Sequence, residues 1–82
     1  MNPLPTTPSH LLLVEDDPVS AAFLSAAATA FPATVVVAGT LADAEQICTQ
    51  QAFDLLLIDA NLPDGRGDEL LQRLRQRGIH TP

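Results

Sequence analysis

Acidic side chains gather at two places in this sequence. Glu15, Asp16 and Asp17 directly follow the apolar run Leu11-Leu12-Leu13-Val14, and Asp59 directly follows the run Leu55-Leu56-Leu57-Ile58. If both runs are strands, these acids stand at strand carboxyl ends, where open α/β sheets bind ligands. If the two strands are neighbours, Asp16 and Asp59 face one crevice. Carboxylates that close repel and raise each other's pKa unless a cation lies between them. A donor set made only of oxygen favours Mg2+ or Mn2+, with water filling the remaining positions. Asp17 has a simpler use, as the N-cap of a helix whose first residue is Pro18. Asp59 has no such duty, because the next helix begins several residues later.

The elements that must carry these acids can be read from the apolar pattern. Leu11–Val14, Val35–Ala38 and Leu55–Ile58 are continuous rather than alternating, as strands buried on both faces of a parallel sheet are. Between the first two runs, Val19, Phe23, Leu24 and Ala27 recur at helical spacing, and this helix ends before Pro32. Thr40 caps a second helix through Leu41, Ala44, Ile47 and Cys48, closing near Gln51, with Asp43 as the carboxylate of a capping box. A third helix runs from about Asp68 to Arg77, with Leu70, Leu71 and Leu74 on one face and Gly78 as its stop. The order β-α-β-α-β-α, with right-handed crossovers, predicts a doubly wound α/β sheet. Another strand is expected to begin at Thr81-Pro82. Residues 1–9, rich in proline and threonine, read as a flexible leader, and 10–82 as one domain that is incomplete at its C-terminus.

Composition narrows the function classes. With 82 residues the chain makes at most one small domain. Ten acidic residues against four arginines and no lysine give a formal charge of −6, which opposes nucleic-acid binding through this segment. The single Cys48 allows no internal disulfide and reads as a small buried side chain. The start lacks a basic n-region, and the apolar run after it is too short to span a membrane, so a cytoplasmic protein is expected. No glycine-rich phosphate loop follows any strand. His10 and His80 read as boundary residues rather than ligands. Arg66, Arg73, Arg75 and Arg77 read as a solvated basic patch, Asp43 and Glu45 as an exposed helix face, and Asp64 and Asp68 as turn and helix-start residues.

From His10 to Pro82 the sequence resembles the receiver domain of two-component response regulators. Leu11-Leu12-Leu13-Val14-Glu15-Asp16-Asp17 is similar to that family's first strand and acidic pair. Asp59-Ala60-Asn61-Leu62-Pro63-Asp64-Gly65-Arg66-Gly67 is similar to its phosphoacceptor loop, and the two stand at a separation typical of the family. The resemblance implies a flavodoxin-like receiver fold, here partial, and a signalling phosphoacceptor rather than an enzyme. It implies that Asp59 takes a phosphoryl group with Mg2+ from a sensor histidine kinase or histidine phosphotransfer protein. Asp16 would hold the metal directly, Glu15 mainly through water, and Asn61 through its backbone carbonyl, with Pro63 and Gly67 shaping the loop.

The chain departs from the family pattern in one respect. The family reads its phosphoryl group with a threonine or serine ending the next sheet strand and a lysine ending the one after, and neither is found at a matching position. The alternative is therefore a receiver-like interaction module without productive phosphorylation. A hydrolase with an aspartate nucleophile is the other class, but it needs a D-x-D arrangement after its first strand, which is absent. The apolar edge at Leu55–Ile58 is expected to pair with a second copy or with a further fragment.

Overall fold

The computed structural model describes residues 9–28 and 33–82. In chain order the elements are β1 (Ser9–Val14), α1 (Pro18–Ala28), β2 (Ala33–Ala38), α2 (Leu41–Gln50), β3 (Leu55–Ile58), a short ribbon of β4 (Asn61–Leu62) and β5 (Gly65–Arg66), and α3 (Gly67–Gln76). Ser9 pairs with Ala33, so the first strand takes in the last residue of the expected leader. Residues 1–8 of that leader lie outside the described residues, as does 29–32, where α1 was expected to end.

The main sheet is parallel in the order β2-β1-β3. Its first crossover leads from β1 to β2 on one side, and its second returns past β1 to β3. Right-handed crossovers in opposite directions put α1 on one face and α2 on the other. The α2 face holds the core. Leu12, Val14, Ala38 and Leu56 from the sheet pack with Leu41, Ala44 and Cys48 of α2, Phe53, and Leu70 and Leu74 of α3. Leu12 aligns with Val36 and Leu56, and Val14 with Ala38 and Ile58, so one row of side chains points to the helix pair.

The other face is covered less evenly. All of Leu11–Val14 is buried, as continuous apolar character predicts for a central strand. The flanking strands differ from that expectation: Val37, Leu55 and Leu57 are 46%, 39% and 38% exposed. Only α1 lies on their side among the described helices. In α1 itself Ala21 is buried, whereas Val19 and Phe23, expected to face the core, are 75% and 74% exposed. The sequence PVSAAFLSAAA carries no charged stripe to mark the solvent side, so its apolar spacing could not decide which face turns inward.

The Asp17 and Thr40 caps and the Gly78 stop follow their sequence signals, whereas the capping box expected of Asp43 is only half formed, with no bond from its carboxylate back to the Thr40 amide among those described. Asp17 accepts from the Val19 and Ser20 amides at 3.3 Å each, and Thr40 Oγ1 accepts from the Asp43 amide at 3.1 Å. Helix α3 closes at Gly78, φ +80°, with Gly78 N–H donating to the Arg75 carbonyl and Ile79 N–H to the Leu74 carbonyl, the two bonds of a Schellman motif. The chain then returns to β3, where Leu56 N–H donates to the Pro82 carbonyl at 2.8 Å. The Arg75 guanidinium holds this return, donating to the carbonyls of Ile79 and Thr81 at 2.8 and 2.9 Å. Arg75 is thus a structural clamp rather than part of a solvated patch. Arg73 and Arg77 both reach Glu45 on α2.

Candidate functional site

Strand pairing brings the acids together. Glu15 N–H donates to the Ala38 carbonyl, and Asp59 N–H donates to the Val14 carbonyl, both at 2.9 Å, so each residue continues its ladder by one step past the strand end. Because β1 and β3 are direct neighbours, Glu15, Asp16 and Asp59 emerge at one edge of the sheet, each with a carboxylate oxygen within 4.8 Å of the others. Asp16 is exposed, and Glu15 and Asp59 are half-buried. This is the juxtaposition expected from the order of the strands.

The two loops hold their acids differently. In 15–17 the side-chain contacts are local. Glu15 Oε1 accepts from the Asp17 amide at 3.1 Å, and Asp17 Oδ2 accepts from the Ser20 hydroxyl at 2.7 Å. That hydroxyl, followed by the Val19 amide, holds the Asp17 carboxyl below its usual range. Asp17 therefore serves α1, and its side chain is committed away from the acidic triad.

In 59–66 the chain turns back as a ribbon, with Asn61 paired to Arg66 and Leu62 to Gly65 around Pro63-Asp64. Asp59 Oδ1 stands 3.5 Å from the Asn61 amide, and Gly67 N–H donates to the Ala60 carbonyl at 3.0 Å. Gly67 is required by space. A Cβ there would run into the Asp59 carbonyl and lie 2.8 Å from Ile58 Cγ2. The start of α3 can thus pack directly against the backbone of Asp59, the residue that follows β3.

Asp64 has a role that sequence reasoning missed. Its carboxylate accepts from the Leu41 and Ala42 amides of α2 at 2.8 and 3.0 Å. The Leu41 amide is the leading cause that holds its carboxyl below the usual range. An unsatisfied helix start is a general demand for acceptors, but no local signal says that one will come from 22 or more residues away. Neither His10 nor His80 belongs to the cluster of Glu15, Asp16 and Asp59. His10 stacks edge-on against Phe53 with centroids 5.3 Å apart, and His80 lines an open cleft of about 420 Å³ with Cys48, Phe53 and Ile79.

The donor set suits a small hard cation. It offers carboxylate oxygens from two strands, open to solvent on one side, and no sulfur or imidazole. Magnesium takes few protein ligands and keeps several waters, with ligand oxygens at about 2.1 Å from the ion. The 4.8 Å spread needs only modest side-chain movement to meet that distance.

The sequence model of the response regulator receiver domain matches residues 11–82. The chain is 41% identical over 70 residues to the TorCAD operon transcriptional regulatory protein TorR of Escherichia coli K12, covering 85% of this chain and 30% of that protein. It is 31% identical over 72 residues to the sensor histidine kinase RcsC of Salmonella typhimurium, covering 88% of this chain and 8% of the kinase. The chain thus spans under a third of these relatives. Among solved structures, the receiver domain of TorR superposes with a TM-score of 0.74 at 41% identity, covering 85% of this chain and 58% of that one. The signal receiver domain of a Luxo repressor protein from Vibrio parahaemolyticus superposes at 0.85 with 28% identity, covering 90% and 57%. With the β2-β1-β3 sheet and acids at its carboxyl edge, these likenesses establish that the chain belongs to the response regulator receiver domain family of two-component systems.

Proposed function

We propose that this domain accepts a phosphoryl group on Asp59 from a phosphohistidine donor, with a divalent cation held by Asp16, Asp59 and the Asn61 carbonyl and supported by Glu15 through water. The observation that carries this reading is the convergence of Glu15, Asp16 and Asp59 within 4.8 Å at the carboxyl ends of adjacent strands. In the transfer, an Asp59 carboxylate oxygen bonds to phosphorus as the N–P bond of the donor breaks. Asp59 is held for attack from behind by the hydrogen bond that its N–H donates to the Val14 carbonyl and by the packing of Gly67 on its own carbonyl. A bound Mg2+ would neutralise charge between phosphoryl oxygens and carboxylates that otherwise repel. A response regulator bound to beryllium trifluoride, 31% identical with a TM-score of 0.70, is among the structural neighbours.

The donor is a protein, and α1 offers it a surface. Val19, Phe23 and Leu24 are exposed beside Glu15 and line a shallow cleft of about 390 Å³ with Ser20. A helix from a histidine kinase or phosphotransfer protein that lays apolar residues on this cleft would bring its phosphohistidine toward Asp59. No described helix is long and apolar enough to cross a membrane.

Intact-mass spectrometry after incubation with Mg2+ and acetyl phosphate tests the reading. A phosphoryl adduct that needs Mg2+ and is lost in Asp59→Asn is the expected result. A folded protein that forms no adduct would support the interaction-module alternative.

A further inference from the structure

We propose that Asp64 is a positioning residue that clasps the phosphoacceptor loop to the N-terminus of α2 and so fixes the Asn61 carbonyl for the cation. This rests on the reading of that carbonyl as a ligand. The Asp64 carboxylate spans two successive amides, Leu41 at 2.8 Å and Ala42 at 3.0 Å. A carboxylate at a helix N-terminus is favoured by the helix dipole as well as by the bonds themselves.

A second contact holds the same turn. Gly65 has φ +151°, and a Cβ on it would lie 2.6 Å from Leu41 Cδ1, so the backbone of the ribbon rests directly on the first residue of α2. Leu41 is fully buried and Leu62 packs on the same core, so the loop docks on a fixed anchor. The two-stranded pairing then carries this restraint from Asp64 to Asn61, because Leu62 faces Gly65 and Asn61 faces Arg66.

Thr40 provides an internal control. Its hydroxyl caps the same helix through the Asp43 amide and makes no contact with the 59–67 loop among the hydrogen bonds described. Thr40→Ala should weaken α2 without releasing the loop, whereas Asp64→Ala should do both.

The test is Mg2+ binding to the intact protein by isothermal titration, with the thermal midpoint of each variant measured in EDTA. For Asp64→Ala the dissociation constant should rise about tenfold, the scale at which residues that orient ligands act. Asp64→Asn, which keeps one acceptor oxygen, should fall between Asp64→Ala and the parent. Thr40→Ala should lower the midpoint in EDTA and leave the dissociation constant within about twofold of the parent. Equal Mg2+ affinity in the parent and Asp64→Ala would overturn the inference while leaving the metal site intact. Equal weakening by Thr40→Ala and Asp64→Ala would also overturn it, reducing Asp64 to a helix cap. A parent that binds no Mg2+ would remove the metal site and the inference with it.

Discussion

The loop from β1 to α1 spans 15–17, and the loop from β3 to α3 spans 59–66 and contains its own ribbon. Apart from the Glu15 amide on the Ala38 carbonyl, the first is held by side-chain contacts within a few residues: Glu15 to the Asp17 amide, and Asp17 to Val19 and Ser20. The second is held by contacts across the fold: Asp64 to α2, Gly65 against Leu41, and Gly67 against Asp59. A short loop between a strand and a capped helix has few conformations to lose. A longer one pays more conformational entropy and needs tertiary anchors to present a ligand at a fixed place. Substitutions in the first loop should therefore act locally, and those in the second should reach both the cation site and the core.

The largest effect expected is the complete loss of the phosphoryl adduct in Asp59→Asn, read by intact mass. Gly67→Ala should come next. Its Cβ meets backbone that cannot swing aside, and overpacking of this kind costs about 1–3 kcal/mol, only partly offset by the better helix propensity of alanine. Denaturant unfolding would read that loss, and the rate of adduct formation should fall with it because Asp59 is displaced. An unchanged midpoint and rate would mean that the two loops are not held as differently as described.

Asp16→Asn should raise the Mg2+ dissociation constant at least about tenfold with little change in fold, since Asp16 is exposed and its carboxylate accepts no hydrogen bond among those described. On α1, Phe23→Ala should change stability by no more than about 0.5 kcal/mol, because the ring is 74% exposed. The same variant should slow transfer from a phosphohistidine protein and leave transfer from acetyl phosphate unchanged. Equal slowing with both donors would argue against α1 as the docking surface.

The smallest effects concern pH. The folded-state carboxyls of Asp17 and Asp64 titrate below their usual value, Asp17 mainly through the Ser20 hydroxyl and Asp64 mainly through the Leu41 amide. Their stabilisation is present above the unfolded-state pKa and is lost as pH falls through the lowered folded-state values. Thermal midpoints followed from about pH 5 to about pH 2 should decline less steeply in Asp17→Asn and in Asp64→Asn than in the parent. Only Asp64→Asn should also weaken Mg2+ binding, which separates the two loops again.

The first loop and the strand ends were legible in the sequence because their signals are local. Three apolar runs give three strands, Asp17-Pro18 and Thr40 mark helix starts, and Gly78 marks a helix stop. The meeting of Asp16 and Asp59 needed one further step, the β2-β1-β3 order of a flavodoxin-like doubly wound sheet. Two features were not legible. The orientation of α1 was hidden because its sequence, PVSAAFLSAAA, has no charged side to read and only two serines that are polar. The Asp64 clasp was hidden because its partners are remote in sequence, and an Asp-Gly turn is a sufficient local account of the same residues.

The central claim is that Asp59, next to a cation held by Asp16, is the residue that takes the phosphoryl group. The most direct measurement is borohydride trapping of the acyl phosphate followed by peptide mass mapping, on protein incubated with acetyl phosphate in Mg2+ or in EDTA. The account predicts reduction of position 59 to homoserine in the Mg2+ sample and an unmodified peptide in EDTA. Modification at another acid, or equal modification of Asp59 without the cation, would contradict it.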